Sequence, residues 1–556
     1  MTRRPSEPAG LLASFIARCN AAPSKVQFVL ARAGGNAVVT HAMLWDGGQR
    51  YAHLYRGTGA APGTVVLIAL RSSPDLLYAF VGAILAGCVP AMMPLPSIKQ
   101  DPARFWDSHT QLFRHIGGGI LVTDTINAAT FADALAADLL AIVTTVDAVP
   151  DDGDPIAWDW HPDAVCCLQH SSGTTGLKKG VTLTSRAISH HIASYAAAIG
   201  LTSDDVICSW LPLYHDMGFV TTLLMPLLTG VRAVIVDPFD WLSNPLSLFD
   251  LVADHDGTLV WLPNFAFDHL TNAAVDSRRV DLSRVRAFIN CSEPCKPASV
   301  DRFIAAFGRW GVSAAQVHAC YAMAETVFAV TQTRLGVPAR RYSVSADGLR
   351  RHRLDVVGDD RISLCSAGPP IDGIEVRIDG ADAIGEILVR GDFVFTGYYR
   401  QDSSASFSTG WFRTGDLGFL HEGEVYVLGR KTDRIILLGK NFYAHEIEQV
   451  LNEVVGVKAG RAVAFGLFAD TIGSETCHVV VERSGPVEDG GAIEDGGAIE
   501  DSALRRAVKI QLLDLLGLVP KTISIVAPGW LIKSTSGKIS RTENIVKYLA
   551  GRHTEI

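Results

Sequence analysis

Several features that would place a protein in a familiar class are missing from this chain. Its ten cysteines are scattered, with no Cys-x-x-Cys pair and no cysteine–histidine cluster at zinc-ligand spacing. A reduced protein of the cytoplasm is therefore the natural expectation. Acidic residues outnumber basic ones by 58 to 49, the formal net charge is −9, and no basic stripe appears. We therefore expect no general binding to nucleic acid.

The chain also lacks an uninterrupted apolar run long enough to cross a membrane. The most hydrophobic stretch, residues 76–96, is broken by two glycines and two prolines. This pattern predicts a buried helix that enters a buried strand, and no membrane span. The first residues hold no apolar core before a cleavage site, so we expect no signal peptide.

What the chain does contain is a long alternation of short apolar strands with helical segments. At 556 residues, 48% of them hydrophobic, it is long enough for several domains. Residues 1–430 predict a large α/β domain of layered, mainly parallel sheets. Within it, the short strands and Gly or Asp turns of residues 374–428 predict a small antiparallel or barrel-like subdomain. Residues 431–556 predict a separate small α+β domain.

The individual elements can be predicted from the same pattern. The strand candidates are residues 64–70, 119–122, 141–145, 164–168, 233–236, 258–262 and 287–290 of the large domain, and residues 374–378, 385–389 and 424–428 of the subdomain. The helical candidates include residues 185–199, 219–228 and 297–310.

The most informative segment is a glycine-rich loop, residues 169–180, with the sequence QHSSGTTGLKKG. Its two glycines let successive backbone N–H groups turn into one concave space, which four hydroxyls and two lysines also face. Such a loop after a strand favours a polyphosphate site over a solvated surface loop, although the spacing is not that of a Walker A motif. The residues expected to contact phosphate are Ser171, Ser172, Gly173, Thr174, Thr175, Gly176 and Lys179.

Four further residues could complete such a site, and each has an alternative interpretation. His215 precedes an apolar helical stretch, where it could orient a carboxylate substrate or simply be buried. Glu325 could bind Mg²⁺ beside phosphates or begin a helix. Asp416 could accept hydrogen bonds from a sugar or belong to a β-turn. Lys538 could bring a point charge to a ligand or belong to a solvated tail.

These segments, in this order, resemble the adenylate-forming superfamily of acyl-CoA synthetases, peptide-synthetase adenylation domains and luciferases. The glycine-rich loop matches the phosphate loop of that family, except that Lys178 replaces a proline. Residues 321–325 (YAMAE) match its Tyr-Gly-x-x-Glu motif, with Ala322 in place of glycine. Residues 414–416 match its Thr-Gly-Asp motif and residues 429–433 its Gly-Arg-x-x-Asp hinge, while Lys538 ends the C-terminal Gly-Lys motif.

Within the superfamily the chain most resembles the fatty acyl-AMP ligases. Residues 209–218 (SWLPLYHDMG), 290–297 (NCSEPCKP) and 414–430 all favour that group. Residues 340–366 lie where these ligases carry an insertion that restrains the C-terminal domain and disfavours CoA. Here the insertion is shortened or diverged, which leaves CoA open as an acceptor. Amino-acid adenylation domains carry an aspartate near this position that binds the amine of the substrate. Here the segment is Tyr214-His215-Asp216-Met217 instead, which argues against an amino-acid substrate.

The resemblance implies a two-step reaction. ATP and Mg²⁺ would activate a fatty or other carboxylic acid to acyl-AMP with release of pyrophosphate, and the acyl group would pass to the phosphopantetheine thiol of an acyl carrier protein supplied in trans. Glu325 would bind the metal, His215 would place the substrate carboxylate, and Lys538 would bridge the carboxylate and the α-phosphate. The small domain would then rotate about Thr432 and Asp433. The nucleotide-binding residues implied are Ser292, Glu293, Pro294, Tyr321, Ala322, Asp416 and Arg430.

Three alternatives remain open at this point. An acyl-CoA synthetase would use CoA as the acceptor. A non-catalytic module that binds a carrier protein would not need Lys538, Glu325 and Asp416, all of which are present. An amino-acid adenylating enzyme would release pyrophosphate with amino acids.

Overall fold

We describe a computed structural model of the chain. It covers residues 11–32, 34–96, 102–134, 140–145, 154–171, 179–275, 279–356, 361–380, 383–469, 471–484, 501–533 and 539–552. Most of the predicted phosphate loop, from Ser172 through Gly173, Thr174, Thr175 and Gly176, therefore lies outside the described residues, and so does Lys538.

The first sheet has six strands and is parallel except at one edge. In spatial order its strands are Leu140–Thr144, Gly119–Thr123, Val65–Ala69, Val89–Met92, Val165–Ser171 and Lys179–Thr184. The last two pair as an antiparallel hairpin that places Ser171 opposite Lys179. The central strands are almost continuous runs of Val, Ile and Leu, which is typical of parallel strands covered on both faces.

The second sheet has eight strands, of which the inner six are parallel. In spatial order its strands are Ala329–Gln332, Val317–Ala322, Ala287–Asn290, Leu259–Leu262, Val206–Ser209, Arg232–Val236, Val26–Ala31 and Ala37–Thr40. Antiparallel strands close both edges. The two sheets confirm the predicted α/β architecture with mainly parallel strands.

Helices cover the faces of both sheets. They are Ala13–Ala21, His41–Gly57, Pro74–Leu85, Pro102–Ile116, Thr125–Ala134, Ser185–Ala198, Pro238–Ser243, Ser247–Asp254, Asn264–Asn272 and Pro297–Phe307.

The apolar stretch at residues 76–96 forms a buried helix followed by a buried strand, as predicted. The helix Pro74–Leu85 begins at Ser73, whose hydroxyl accepts a hydrogen bond from the backbone N–H of Leu76 at 3.2 Å. Every residue of this helix from Leu76 onward is buried. None of the helices in the described ranges is long and apolar enough to cross a membrane.

The predicted helix after His215 is not a single α-helix. A short α-helical turn, Asp216–Gly218, continues as a π-helix, Phe219–Leu224, and then as an α-helix, Met225–Thr229. Pro226 explains the wider turn, because its ring would clash with the carbonyl of the residue four positions earlier in a regular α-helix. A Cβ atom at Gly218 would lie 2.3 Å from the carbonyl oxygen of Pro212, so only glycine fits there.

Residues 374–430 form the predicted small antiparallel sheet, here called the β subdomain. Its strands are Ile374–Asp379, Gly385–Gly391, Phe407–Ser408, Trp411–His421 and Glu424–Arg430. Just before it, the insertion at residues 340–366 forms a hairpin of strands Arg341–Ser345 and Arg361–Cys365 with a short helix, Ala346–Arg350, after the first strand.

The C-terminal region has its own sheets and its own apolar core. Its elements are a hairpin, Arg434–Leu437 and Lys440–Tyr443; a three-stranded sheet, Val457–Ala469, Ser474–Arg483 and Thr522–Val526; and helices Ala444–Asn452, Asp501–Leu516 and Arg541–Arg552. This region contacts the insertion. Lys440 Nζ lies 3.2 Å from a carboxylate oxygen of Asp347, and Asn441 Nδ2 donates to the carbonyl of Arg350 at 2.7 Å.

Candidate active site

The base of the predicted phosphate loop is joined to the β subdomain. The hydroxyl of Thr182 donates to the carbonyl of Gly397 at 2.6 Å, and the backbone N–H of Tyr399 donates to the carbonyl of Gly180 at 2.7 Å. Lys179 lies over the ring of Tyr398, with its Nζ 4.7 Å from the ring centroid. The cation that ends the loop is therefore held close to the residues of the subdomain.

Glu325 lies in a short 3₁₀ turn, Ala324–Thr326, directly after strand Val317–Ala322. Its carboxylate accepts a hydrogen bond from the hydroxyl of Tyr398 at 2.9 Å. Burial raises the pKa of Glu325, because the charged form loses hydration. Among the described residues Glu325 forms no ion pair with a lysine or arginine, although the charge of Arg430 acts on it and opposes the rise of its pKa.

Asp416 has a similar tyrosine partner and, in addition, a cation. The hydroxyl of Tyr321 donates to Asp416 Oδ2 at 2.6 Å, and Arg430 Nε lies 3.7 Å from Asp416 Oδ1. Asp416 and Arg430 are opposite each other on adjacent strands. Burial raises the pKa of the Asp416 carboxyl, while the charge of Arg430 opposes that rise. The local turn fixes the aspartate, because the Thr414 hydroxyl accepts its backbone N–H at 3.0 Å.

The predicted adenine segment follows the carboxyl end of strand Ala287–Asn290, where ligands bind in open α/β sheets. Ser292 has a left-handed backbone conformation, with φ of 68°. A carboxylate oxygen of Glu293 accepts the backbone N–H of Phe265 at 2.9 Å, near the N-terminus of helix Asn264–Asn272. The segment from Ser292 through Pro294 is thereby held between two neighbouring strand ends.

His215 immediately precedes the helical turn Asp216–Gly218, beside the strand that leads into the phosphate loop. The side-chain nitrogen of Gln169 in that strand donates to the carbonyl of Tyr214 at 3.0 Å. The pKa of Glu325 is raised chiefly by burial and also by the charge of Asp216, whereas the charge of Arg430 lowers it. His215 thus lies between the phosphate-loop strand and the buried, apolar π-helix.

The predicted hinge residues connect the β subdomain with the C-terminal region. Thr432 and Asp433 lie in a 3₁₀ turn after strand Glu424–Arg430. The carboxylate of Asp433 accepts a hydrogen bond from Arg541, whose guanidinium also binds both carboxylate oxygens of Glu448 at 2.8 and 3.0 Å. This contact ties the turn to the first residue of the last helix.

Lys538 belongs to a segment whose two flanking residues are described. Lys533 and Ile539 form an antiparallel β-bridge. Burial lowers the pKa of Lys533 to about 8, and Glu293 is among the charged groups that act on it.

The structure brings together residues that are far apart in the sequence. Tyr321 is hydrogen-bonded to Asp416, which pairs with Arg430, and Tyr398 joins Glu325 to Lys179. Two residues that hold the predicted site and hinge residues in place, Tyr398 and Arg541, were not predicted from the sequence. Tyr398 belongs to none of the motifs, and Arg541 carried only the weak signal of following the Gly-Lys motif at a distance of three residues.

Comparison of the sequence with protein families and with curated proteins places the chain among AMP-binding enzymes. The family model described as AMP-binding enzyme matches residues 15–399. FadD30 of Mycobacterium tuberculosis, named a probable long-chain-fatty-acid–AMP ligase, is 31% identical over 529 residues that cover 86% of each chain. JamA of Moorena producens, named a medium-chain-fatty-acid–[acyl-carrier-protein] ligase, is 30% identical over 419 residues that cover 71% of this chain and 69% of JamA.

Two solved structures are similar over nearly the whole chain. One comes from studies of fatty acyl-adenylate ligases of E. coli and L. pneumophila, with a TM-score of 0.87, 20% identity and coverage of 100% of both chains. The other is a fatty acyl-adenylate ligase of L. pneumophila in complex with acyl adenylate and pyrophosphate, with a TM-score of 0.72, 24% identity and coverage of 97% of this chain and 96% of that one. At these identities the likeness establishes the fold.

Proposed function

The chain belongs to the AMP-binding enzyme family, and from that premise we propose that it is a fatty acyl-AMP ligase. It would use ATP to convert a fatty acid into acyl-AMP and would then pass the acyl group to the phosphopantetheine thiol of an acyl carrier protein. The observation that carries the proposal is that Tyr398 links Lys179 to Glu325, while Tyr321, from the same motif as Glu325, is hydrogen-bonded to Asp416. The names of FadD30 and JamA support the choice of substrate.

In the first step a carboxylate oxygen of the acid attacks the α-phosphorus of ATP. The bond between the α-phosphorus and the bridging oxygen breaks, and pyrophosphate leaves. Such chemistry depends on positioning and on charge stabilisation. Lys179 and the loop from Ser171 to Gly176 would hold the β- and γ-phosphates. His215 would orient the attacking carboxylate, and Lys538 would approach the carboxylate and the α-phosphate from the C-terminal region.

The nucleoside would be held by two groups of residues. Asp416 would accept hydrogen bonds from the ribose hydroxyls, assisted by Arg430. Tyr321 would stack on the adenine ring beside Ala322, with Ser292, Glu293 and Pro294 lining the rest of the slot. The hydrogen bond from Tyr321 to Asp416 supports this assignment, because it links the two contact surfaces in one rigid unit.

Glu325 would bind Mg²⁺. The fit rests on a half-buried carboxylate that has a hydroxyl donor but no ion-pair partner among the described residues. Mg²⁺ is typically bound by one or two carboxylates together with phosphate oxygens. When bound, the metal would offset negative charge on the phosphates. Tyr398 would keep the carboxylate oriented toward the phosphate loop.

For the second step the C-terminal region, residues 431–556, would rotate about Thr432 and Asp433 and admit the thiol. The thiol sulfur would attack the acyl carbon of acyl-AMP, and AMP would leave. Contacts of the insertion with Lys440 and Asn441 support a restrained C-terminal region and hence a carrier protein as the acceptor. The alternative acceptor is CoA.

An exchange assay tests the first step. Fatty acids of different length, other carboxylic acids and amino acids are supplied with ATP, and the return of labelled pyrophosphate into ATP is measured. We expect exchange with fatty acids and not with amino acids. Lys538→Ala serves as the control and should abolish acyl-AMP formation while ATP still binds. A chain that supports no exchange with any acid would be a carrier-binding module instead.

Transfer of preformed acyl-AMP tests the second step. Phosphopantetheinylated carrier protein and CoA are offered in separate reactions, and thioester formation is followed by mass spectrometry. We expect transfer to the carrier. Transfer to CoA at an equal or higher rate would identify an acyl-CoA synthetase.

A further inference from the structure

Val327, two residues after Glu325, has an unusual backbone conformation. Its φ is 64° and its ψ is −56°, and the N–H of Phe328 donates to the carbonyl of Thr326 at 2.7 Å. These values define the rare, strained form of the γ-turn. For a β-branched residue a positive φ is a genuine outlier. Thr326, Val327 and Phe328 are all fully buried, so the turn is part of the packed interior.

Several hydrogen bonds hold the turn in place. The backbone N–H of Met323 donates to the carbonyl of Phe328 at 2.9 Å. The hydroxyl of Thr326 lies 2.9 Å from the same carbonyl and 3.1 Å from the carbonyl of Met323. On the far side, the backbone N–H of Ala329 donates to Nε2 of His191 at 2.9 Å. The surrounding structure therefore imposes the conformation that Val327 alone would avoid.

His191 is suited to this fixed role. It is fully buried, and the rings of Phe393 and Phe328 pack edge-on against it with centroids 5.1 and 6.3 Å away. Burial lowers the pKa of His191 to about 3, so the ring is neutral at ordinary pH. Since Nε2 accepts a hydrogen bond, the proton of the neutral ring is on Nδ1. Nε2 of His191 therefore remains a hydrogen-bond acceptor for the N–H of Ala329 at ordinary pH.

The turn controls one side of Glu325, and the β subdomain controls the other. The carbonyl of Glu325 accepts the backbone N–H of Phe395 at 2.7 Å, and its carboxylate accepts the hydroxyl of Tyr398 at 2.9 Å. Relaxation of the turn would rotate the backbone of Glu325 and move the carboxylate away from Tyr398. Backbone strain of this kind is concentrated at functional sites, where it fixes geometry in advance.

We propose that Val327 is a positioning residue, whose strained γ-turn fixes the Glu325 carboxylate for acyl-AMP formation. The inference rests on the proposed function, because it takes Glu325 to act in that reaction. Val327 itself would touch neither ATP nor the acid. Its Cβ, confined by the packed interior, limits the turn to one conformation.

Two substitutions at the same position separate strain from packing. Val327→Ala removes most of the side chain but keeps a Cβ in the disfavoured region, so the strain remains. Val327→Gly removes the same packing and also the strain, and it frees the turn to adopt other conformations. We expect the glycine variant to melt at a higher temperature than the alanine variant, although glycine is normally the less stable of the two.

For activity we expect the opposite order, with the alanine variant more active than the glycine variant. With ATP and a fatty acid, we expect kcat for acyl-AMP formation to stay within about threefold of the wild type for Val327→Ala and to fall at least about tenfold for Val327→Gly, because a small displacement of a reacting group has a large effect on rate. The KM for ATP should change less than kcat. Equal kcat values for the two variants, or a higher melting temperature for the alanine variant, would overturn the proposal.

A second pair of variants tests the proposal even if the Val327 variants fold poorly. Thr326→Val removes the hydroxyl that supports the turn, while Thr326→Ser retains it. We expect the valine variant to lose kcat by about tenfold and the serine variant to remain close to the wild type. Equal activity of both would again contradict the proposal. If the wild type itself forms no acyl-AMP, the proposed function fails, whereas the melting temperatures of the Val327 variants still report the strain.

Discussion

The two half-buried carboxylates of the candidate site have the same kind of hydrogen-bond donor but differ in their ion-pair contacts. Glu325 and Asp416 each accept a hydrogen bond from a tyrosine hydroxyl, at 2.9 and 2.6 Å. Asp416 also faces Arg430, whereas Glu325 has no ion-pair partner among the residues described. The charge of Arg430 acts on both carboxylates, but Arg430 forms an ion pair only with Asp416 among the described residues. A carboxylate with a direct cationic neighbour suits neutral sugar hydroxyls, and one without such a neighbour suits a metal cation. The contrast supports the proposal that Asp416 binds ribose and Glu325 binds a metal.

The sharpest test of this difference is Glu325→Gln, which removes the charge and keeps the shape. We expect pyrophosphate exchange to fall about 100- to 1,000-fold, a loss typical of a missing electrostatic contact in an active site. The Mg²⁺ concentration needed for half-maximal exchange should rise. Tyr398→Phe is the matched control: it retains the charge and should lose only about tenfold. Equal losses in the two variants would show that the charge of Glu325 does not matter.

Asp416→Ala should act on ATP binding. We expect the dissociation constant for ATP to rise about 10- to 100-fold, since hydrogen bonds to a charged group are lost. The rate at saturating ATP should fall much less than in Glu325→Gln, because ribose contacts are present before and after the reaction. Calorimetric titration with ATP measures the change. An unchanged ATP affinity would show that Asp416 does not bind the nucleotide, and the proposed difference in role between Asp416 and Glu325 would then be wrong.

A third carboxylate, Glu446 of the C-terminal region, shows the effect of burial opposed by the backbone N–H of Tyr443 and the charge of Arg350. Burial raises the pKa of Glu446 from 4.5 to about 6. Its folded-state pKa lies above the unfolded value, so it contributes stability below pH 4.5 that is lost as the pH rises through about 6. We expect Glu446→Gln to gain stability relative to the wild type by about 2 kcal/mol between pH 4.5 and 7. Thermal unfolding across this range measures it, and parallel curves for both proteins would contradict the assignment.

Much of the fold could be predicted because its strands are local runs of Val, Ile and Leu. Predicted strands such as residues 64–70 and 287–290 are found within one or two residues of their observed limits, Val65–Ala69 and Ala287–Asn290. The helix type after His215 was not predictable, because the π-helix depends on how Pro226 fits against the preceding turn. Such fit is decided by packing, which the hydrophobic pattern does not encode.

The members of the candidate site could also be predicted, but not their partners. The motif places Tyr321 four residues before Glu325, yet Tyr321 donates to Asp416 and a different tyrosine, Tyr398, donates to Glu325. These hydrogen-bonded pairs depend on how the β subdomain packs on the second sheet. The spacing of residues in the sequence does not predict that packing. The γ-turn at Val327 is likewise imposed by contacts from distant residues, against the intrinsic preference of valine.

The crossed pairing limits how related enzymes can be recombined. A chimaera that exchanged only residues 321–325 would carry in a tyrosine and a glutamate whose partners belong to the other parent, and both hydrogen bonds would depend on foreign geometry. The natural unit of exchange is therefore the motif together with Tyr398 and Asp416. Shuffling libraries with crossovers placed between these positions should lose function more often than libraries with crossovers outside them.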